Sequence, residues 1–424
     1  MIQLIRGFKD ILPAEAALWQ HIEETARILF EDFGFQEIRP PIMERTELFK
    51  RSIGEETDIV EKEMYTFADR DGDTITLRPE ATASIVRSYI QHKLYAADPI
   101  QKLYTIGPMF RRERPQKGRY RQFYQINAEV FGIESPLIDA QLIHMLTILF
   151  DRLAVKDVAV HLNSLGCPAC RPGFRDTLTS YLDSRTEGLC ENCRRRSSRN
   201  PMRVLDCKVP ACREALTDAP AITDFLCPDC RRHFDTVQET LSDRQVAFTI
   251  DKRLVRGLDY YTRTTFEILT GSLGAQNAVA GGGRYNGLVE ILGGPPLPGI
   301  GFAIGFDRLV EISAWKPADF HRPPRIFLAA MGEEAMARAY PWAAELSAEG
   351  IRTEMDLSGK NLKSMLKRAD RLGSRHVLII GENELAAGRA ILRDMLTKEQ
   401  RDIGLDGIVA SLRSILETAA GPRE

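Results

Sequence analysis

The chain has 424 residues, 44% of them hydrophobic and 27% charged, with a formal net charge of -2. Such a length predicts two to four domains of roughly 100–200 residues with ample apolar surface for large cores, which excludes a small stapled module. The near-neutral balance also excludes a basic field over the whole surface, so any nucleic-acid partner has to be met by local patches.

The stretch Met1 to Gly7 has no charged segment leading into an apolar run and a cleavage site, and therefore reads as no secretory signal. The longest apolar runs, Leu146–Phe150 and Val377–Ile380, fall far short of the ~20 residues that cross a bilayer. A cytoplasmic location is expected. All eight cysteines lie between Cys167 and Cys230, a concentration that requires its own explanation.

From Pro13 to Phe33, Trp19, Ile22, Ala26, Leu29 and Phe33 recur at steps of three and four, which predicts an amphipathic helix ended by Gly34. Glu37–Met43 is extended, and Pro40-Pro41 belongs at a sheet edge or strand end because neither residue can donate a ladder hydrogen bond. Strand-like runs follow at Met64–Phe67, Thr74–Leu77, Lys102–Met109 and Arg121–Val130, with a hairpin signal at Asp71-Gly72-Asp73. Ala140–Leu153 reads as a helix and Val158–Asn163 as a strand. Strand character returns at Phe248–Asp251, Tyr261–Leu269 and Ala278–Ala280. This pattern predicts an antiparallel sheet domain interrupted by an insertion. Beyond the proline-rich linker Lys316–Pro324, strands at Ile326–Ala329, Ile351–Glu354 and Val377–Ile380 alternate with helical patterns at 333–349, 361–372 and 405–418. That alternation predicts a small α/β domain with a mainly parallel sheet. The expected fold is therefore α+β, with a sheet domain over 1–163 and 241–318, a cysteine-rich insertion over 164–240, and an α/β domain over 325–424.

Arg111, Arg112, Arg114, Arg119 and Arg121 crowd a strand–loop–strand reading whose loop tip is Pro115–Gly118. Runs of charge are usually solvated surface. Between apolar strands, however, paired guanidinium forks suit a polyphosphate, and Glu113 can orient an arginine or hold Mg²⁺ between phosphates. Arg78-Pro79-Glu80-Ala81-Thr82 ends a strand in a rigid turn. Thr82 can simply start the next helix, or the carboxylate and hydroxyl can meet an ammonium group. Leu254–Tyr261 carries Arg256, Asp259, Tyr260 and Tyr261, and Ala280–Tyr285 follows a strand with three glycines before Arg284 and Tyr285. Glycine triplets are more often turns than ligand loops, yet they also permit close approach of a ligand to the backbone. Gly299–Arg308 is a glycine-spaced strand leading into a helix. Neither a Walker-type loop nor a GxGxxG dinucleotide fingerprint occurs.

Taken in order, these segments resemble the histidyl-tRNA synthetase family over essentially the whole chain. The proline-containing strand with Glu55–Phe67 is similar to the first class II motif, which forms the dimer interface; Phe110–Glu129 is similar to the second and Gly299–Arg308 to the third. Leu254–Tyr261 and Ala280–Gly287 resemble the two motifs peculiar to histidine enzymes. The resemblance implies a class II antiparallel-sheet catalytic domain and a C-terminal anticodon-binding domain. It implies a homodimer that activates L-histidine with ATP and Mg²⁺ to histidyl-adenylate and pyrophosphate, then loads the 3′ end of tRNA(His). Arg111, Glu113, Arg119 and Arg308 would bind ATP, and Arg256 would reach the α-phosphate opposite Arg111. Glu80, Ala81, Thr82 and Gln125 would hold the α-amino end of histidine. Glu129, Tyr260, Tyr261 and Tyr285 would surround the imidazole, and Arg114 and Gln116 would approach the tRNA acceptor end.

The segment Gly359–Leu372 places Lys360, Lys363, Lys367, Arg368 and Arg371 around an apolar side of Leu362, Met365, Leu366, Ala369 and Leu372. It reads as a solvated basic helix or, by the resemblance, as part of an anticodon-reading surface.

The cysteines form four close pairs: Cys167 with Cys170, Cys190 with Cys193, Cys207 with Cys212, and Cys227 with Cys230. In a cytosolic chain such pairs are metal sites more often than disulfides, and eight thiolates match two tetrahedral Zn²⁺ sites. Some pairs could instead be reduced, buried cysteines, and spacing leaves open how the pairs combine. The cysteines depart from the family, whose members do not as a whole require them. Two other readings compete: a synthetase-like regulatory subunit of histidine biosynthesis that makes no adenylate, and a zinc-dependent nucleic-acid-binding module. The first typically lacks the anticodon domain and erodes the arginine set, whereas Arg111, Arg256 and Arg308 are all present. The second leaves the ordered pocket residues outside the insertion unexplained.

Overall fold

A computed structural model of the chain describes all residues except 56, 117, 274–276 and 419–424. Residue 56 of the first motif, residue 117 of the arginine loop tip and the last six residues of the C-terminal domain thus lie outside the described residues. The chain forms two compact units, Met1–Asp319 and Phe320–Glu424.

The larger unit is organised on an eight-stranded sheet in the order Gln36–Glu37, Gln101–Phe110, Gln122–Phe131, Gly299–Gly305, Ala278–Arg284, Thr262–Thr270, Val158–Ser164, Phe248–Ile250. Its six long strands pair antiparallel. Only the short edge strands pair parallel. Helix Pro13–Asp32 begins with proline at its first position, where the missing N–H costs nothing, and buries Trp19, Ile22, Ala26, Leu29 and Phe30. Phe33 falls just past its end, and Gly34 follows at φ 81°. Trp19 stacks on Phe306 with ring centroids 4.4 Å apart, joining this helix to the end of strand Gly299–Gly305. Pro40 and Pro41 sit between two short strands, as their missing donors require.

One strand differs from the expectation. The three glycines after Ala280 are part of strand Ala278–Arg284 rather than a turn. A Cβ on Gly282 would lie 2.2 Å from the Gly301 carbonyl oxygen, so the sheet interior there admits glycine alone.

The cysteine-rich segment folds as short helices, Arg171–Asp183, Glu191–Arg199, Pro210–Ala215 and the longer Pro228–Asp243. It belongs to the larger unit and shares a core with it: Phe174, Leu178 and Leu182 pack in one cluster with Ile85, Tyr89, Tyr260 and Tyr285. A buried polar knot reinforces the seam. Arg284 and Asp139 are both fully buried and bonded, with Arg284 Nη2 2.6 Å and Nε 2.8 Å from Asp139 Oδ1. His233, on Pro228–Asp243, lies 2.8 Å from Asp139 Oδ2, and Arg284 also donates to the carbonyls of Ile133 and Ser135. Arg284 is thus a framework residue.

In the smaller unit the five strands run Thr353–Met355, Ile326–Ala330, His376–Ile380, Arg389–Asp394, Gln400–Gly404. The first three are parallel, but the last two form an antiparallel hairpin, so the sheet is mixed rather than mainly parallel. The added hairpin covers one edge and buries only Ala390 and Leu392 fully. Helix Leu362–Arg371 is capped by Asn361, whose side chain accepts from the Ser364 N–H at 3.0 Å, and buries Met365 and Ala369. Among the described residues, no helix is long and apolar enough to cross a membrane.

Removing one member of a buried, bonded charge pair leaves the other charge uncompensated. Asp139→Ala is expected to destabilise the larger unit by ~3–5 kcal/mol in denaturant unfolding; a change below about 1 kcal/mol would contradict this account of the knot.

Candidate active site and metal centres

A cavity of about 360 Å³ opens on one face of the large sheet, lined among others by Arg111, Glu113, Arg119, Gln125, Arg256 and Arg308. Strand alternation produces its floor. Gln125, Asn127 and Glu129 share a face of strand Gln122–Phe131, and their partners Gly305, Ala303 and Gly301 have almost no side chain. Gly281 and Gly283 of the next strand continue the same face. On the opposite face Ile300, Phe302 and Ile304 are buried in the core. The period-two alternation of small and large residues in Gly299–Gly305 was available in the sequence as a sign of a ligand-facing floor.

Space at the floor is already taken by functional groups. A Cβ on Gly301 would fall 1.6 Å from Glu129 Oε2, and one on Gly281 would fall 2.6 Å from Arg256 Nη1. Both glycines are therefore required by the side chains lying over them.

The arginine loop delivers two cations, Arg111 and Arg119, to the rim. Arg111 Nε donates to the Pro79 carbonyl at 2.9 Å, and its guanidinium lies 5.3 Å over the Phe123 ring. Arg119 Nη1 is 2.8 Å from Glu113 Oε2. Arg308 donates to the carbonyls of Gly118 and Ala278 at 3.2 and 2.5 Å. Burial lowers its pKa, helped by the neighbouring Arg119 and Arg111 charges, as a cluster of like charges demands. Arg256 contacts Glu267 Oε1 at 2.5 Å and sits 5.4 Å over Tyr261. Its buried Nε and the buried Oε1 of Gln125 have no partner. Orphaned polar atoms in a cavity wall are suited to a ligand. Arg114 and Gln116 are exposed at the loop tip, where the Gln116 and Arg119 backbones close a tight turn.

The remaining residues singled out in the sequence gather in a closed cluster beside the cavity. Glu80 accepts from the backbone N–H groups of Thr82 and Ala83 at 2.7 and 2.9 Å, capping helix Thr82–Gln91. Burial raises its pKa against those bonds. Ala81 is fully buried. Thr82 Oγ1 donates to Glu129 Oε1 at 2.6 Å, and the Tyr285 hydroxyl donates to Oε2. Glu129 is 1% exposed, and burial pushes its pKa up to about 8 despite these two donors, with the Glu80 charge adding to the rise. Tyr260 packs on Tyr261 and Tyr285 at 4.7 and 5.7 Å. The structure thus brings the arginines together around an open cavity and the Glu129 group into a packed network beside it. Among the lining residues that sequence reasoning missed are Glu267 and Asn277 on the sheet side and Asp206 and Lys208, which come from the cysteine segment. Nothing in the local sequence of Asp206 and Lys208 pointed there except adjacency to Cys207.

The cysteines form two groups: Cys167, Cys170, Cys227 and Cys230, and Cys190, Cys193, Cys207 and Cys212, each with its sulfurs within 4.8 Å of one another. The pairs are nested, the first combining with the fourth and the second with the third. Sulfur separations of 3.6, 3.9 and 4.0 Å are near the roughly 3.8 Å edge of a tetrahedron with Zn–S bonds of about 2.3 Å, and far too long for disulfides. The Cys193 N–H draws the Cys190 thiol down to about 7, favouring the thiolate a metal needs. Backbone N–H groups of Cys190 and Cys227 reach Cys212 and Cys170 sulfurs at 3.1 and 3.2 Å.

In the smaller unit Lys360, Lys363, Lys367 and Arg371 are exposed, but Arg368 is engaged by Glu354 at 2.5 Å and Asp356 at 3.6 Å.

The sequence model of the histidyl-tRNA synthetase family matches residues 7–169 and 202–309, and that of the anticodon binding domain matches 325–415. The histidine–tRNA ligase of Desulfatibacillum aliphaticivorans is 59% identical, with 98% of this chain and 99% of that protein covered. That of Desulfosudis oleivorans is 61% identical over 98% of this chain and 99% of its own. The crystal structure of apo S. aureus histidyl-tRNA synthetase has a TM-score of 0.80 and 36% identity, covering 97% of this chain and 99% of that one. With both units matched in order and near-complete relatives at this identity, the chain belongs to the histidyl-tRNA synthetase family.

Proposed function

We propose that this chain is a histidine–tRNA ligase that forms histidyl-adenylate and pyrophosphate from L-histidine and ATP, then transfers histidine to the 3′ end of tRNA(His). The observation that carries this reading is one cavity bordered by Arg111, Arg119, Arg256 and Arg308 and adjoining the buried Glu129 cluster. A regulatory subunit has no use for the complete arginine set, and the matched anticodon binding domain supports a tRNA substrate.

The histidine carboxylate is ionised at neutral pH, so its attack on the α-phosphorus requires no general base. The barrier is the approach of an anion to a polyanion, which fixed guanidinium groups lower. In this reading Arg111, Glu113, Arg119 and Arg308 bind ATP, and Arg256 meets the α-phosphate through its free Nε. Glu113 would be the carboxylate to hold Mg²⁺, which would supply charge neutralisation at the phosphates. Glu80, Ala81, Thr82 and Gln125 receive the α-amino end. Glu129, with Tyr260, Tyr261 and Tyr285, takes the imidazole N–H in exchange for one of its present hydroxyl donors. A side chain that cannot restore the exchanged bond leaves a buried carboxylate unpaired and is rejected. Arg114 and Gln116 meet the acceptor end, and the exposed lysines of the smaller unit meet the anticodon region.

Homodimerisation belongs to the same reading. Ile42, Met43 and Phe67, all on or beside the small sheet built from Met43–Arg45, Tyr65–Ala68 and Thr74–Leu77, are 44–51% exposed, an apolar patch at the first motif suited to a second copy. The cysteine groups hold structural Zn²⁺, supported by donor type and sulfur spacing, in a cytoplasm that keeps the thiols reduced.

Purified protein with Mg²⁺ is expected to exchange pyrophosphate into ATP only when histidine is added; exchange that is absent or indifferent to histidine would overturn the assignment. Elemental analysis is expected to find two zinc ions per chain, one for each cysteine group. Fewer than one would contradict the metal assignment and leave the thiols as reduced core residues.

A further inference from the structure

The inner cysteine group joins two separate stretches of chain, Cys190 with Cys193 and Cys207 with Cys212. The segment between them has little core of its own, since only Pro201, Val204 and Leu205 are buried from 194 to 206. A stretch so poor in apolar contacts depends on its cross-link for a fixed conformation. Yet this is the stretch that braces the catalytic loops. Arg196 pairs with Asp58 at 2.5 Å, and Asn200 Nδ2 donates to Asp259 Oδ1 at 3.1 Å. Arg203 Nη1 donates to the carbonyl oxygen of Arg256 at 2.7 Å. Arg256 is the residue whose guanidinium lies on the glycine floor, so Arg203 holds the main chain that aims it. Immediately after the brace, Asp206 and Lys208 flank the ligand Cys207, and both line the cavity alongside Arg256, Glu267 and Asn277.

The other cations of this wall each have a protein partner: Arg111 the Pro79 carbonyl, Arg119 Glu113, Arg308 two carbonyls, and Arg256 Glu267 through Nη1, with its Nε open. Lys208 is exposed on the wall and its ammonium is a compact point charge on a flexible stem, chemistry suited to a phosphate that arrives with the substrate.

We infer that the metal-bound inner cysteine group is a working part of the active site: it fixes Arg203 as the positioning residue for Arg256 and presents Lys208 as a binding cation for a substrate phosphate. This rests on the synthetase reading, and the phosphate belongs either to ATP or to the terminal nucleotides of the tRNA. Lys208→Ala in full-length, zinc-loaded protein separates the two sources. If the phosphate is that of ATP, KM for ATP in histidine-dependent exchange rises about tenfold with little change in kcat. If it is that of the tRNA, exchange is normal and single-turnover transfer from preformed adenylate slows by about the same factor. Both rates within about twofold of wild type would overturn the role of Lys208. Arg203→Ala is expected to lower kcat of exchange about tenfold, with Arg203→Lys restoring part of it; an unchanged kcat would remove the brace. Cys207→Ser is expected to lose one of the two metals and to reproduce the Arg203→Ala defect; loss of that metal with normal exchange would sever the link between metal and site. If Cys207→Ser does not fold, Cys190→Ser in the same cysteine group repeats the test, with the same metal count and exchange rate deciding it. Absence of exchange in the wild-type protein is a separate outcome that refutes the synthetase reading itself.

Discussion

Placing a carboxylate in the middle of a β-sheet is costly unless hydrogen bonds replace the water it loses. Glu129 on strand Gln122–Phe131 meets that constraint only in part, with two hydroxyl donors, Thr82 and Tyr285, each from a different element, and burial still raises its pKa. The space for it is made by Gly301 on the adjacent strand, where any Cβ would overlap the carboxylate. Glu80 fixes the start of the helix that supplies Thr82, and Tyr260 packs against the ring of Tyr285. Much of the architecture of this closed cluster can be derived from satisfying this one group.

The open cavity follows a different physical logic. Its arginines are held through carbonyls, carboxylates and ring faces, so that mutually repelling cations are kept in place before any anion arrives. Preorganisation of this kind lowers the reorganisation needed when charge develops on a phosphate. The glycine and alanine floor lets a ligand lie directly on the sheet. The cysteine segment then closes one wall, which makes it more than a peripheral decoration: it shares a core with the tyrosine cluster and donates to the Arg256 main chain.

Much of this was legible in the sequence, for identifiable reasons. Helix Pro13–Asp32 declares itself by apolar spacing, its N1 proline and Gly34. The arginine loop stood out because five permanent charges between apolar strands are hard to explain as surface alone, though only Arg111 and Arg119 of the five line the cavity. The glycine triplet was harder, since a local rule says turn while the decisive contacts, Gly301 and Arg256, come from distant parts of the chain. The hairpin Arg389–Asp394 with Gln400–Gly404 escaped because its strands are short and mostly polar on an exposed edge. Cysteine spacing picked out four close pairs but could not show their nesting, which tertiary packing decides. Arg284, next to the glycine triplet, is bonded to Asp139 in the core, a partner that sequence does not reveal because it lies 145 residues away.

In the proposed function, the buried Glu129, whose pKa burial raises, must be ionised to receive the imidazole. Its folded-state pKa is raised to about 8, so the carboxylate is the minor form at pH 7 and gains as pH climbs through 8. The kcat/KM for histidine reports groups on the free enzyme and free substrate. It is therefore predicted to rise with pH through about 8 and level off above, a limb separate from the ~6.5 titration of an ordinary imidazole. In Glu129→Gln that upper limb should vanish. A wild-type profile flat between about pH 7 and 9, or a limb that survives in Glu129→Gln, would contradict the claim.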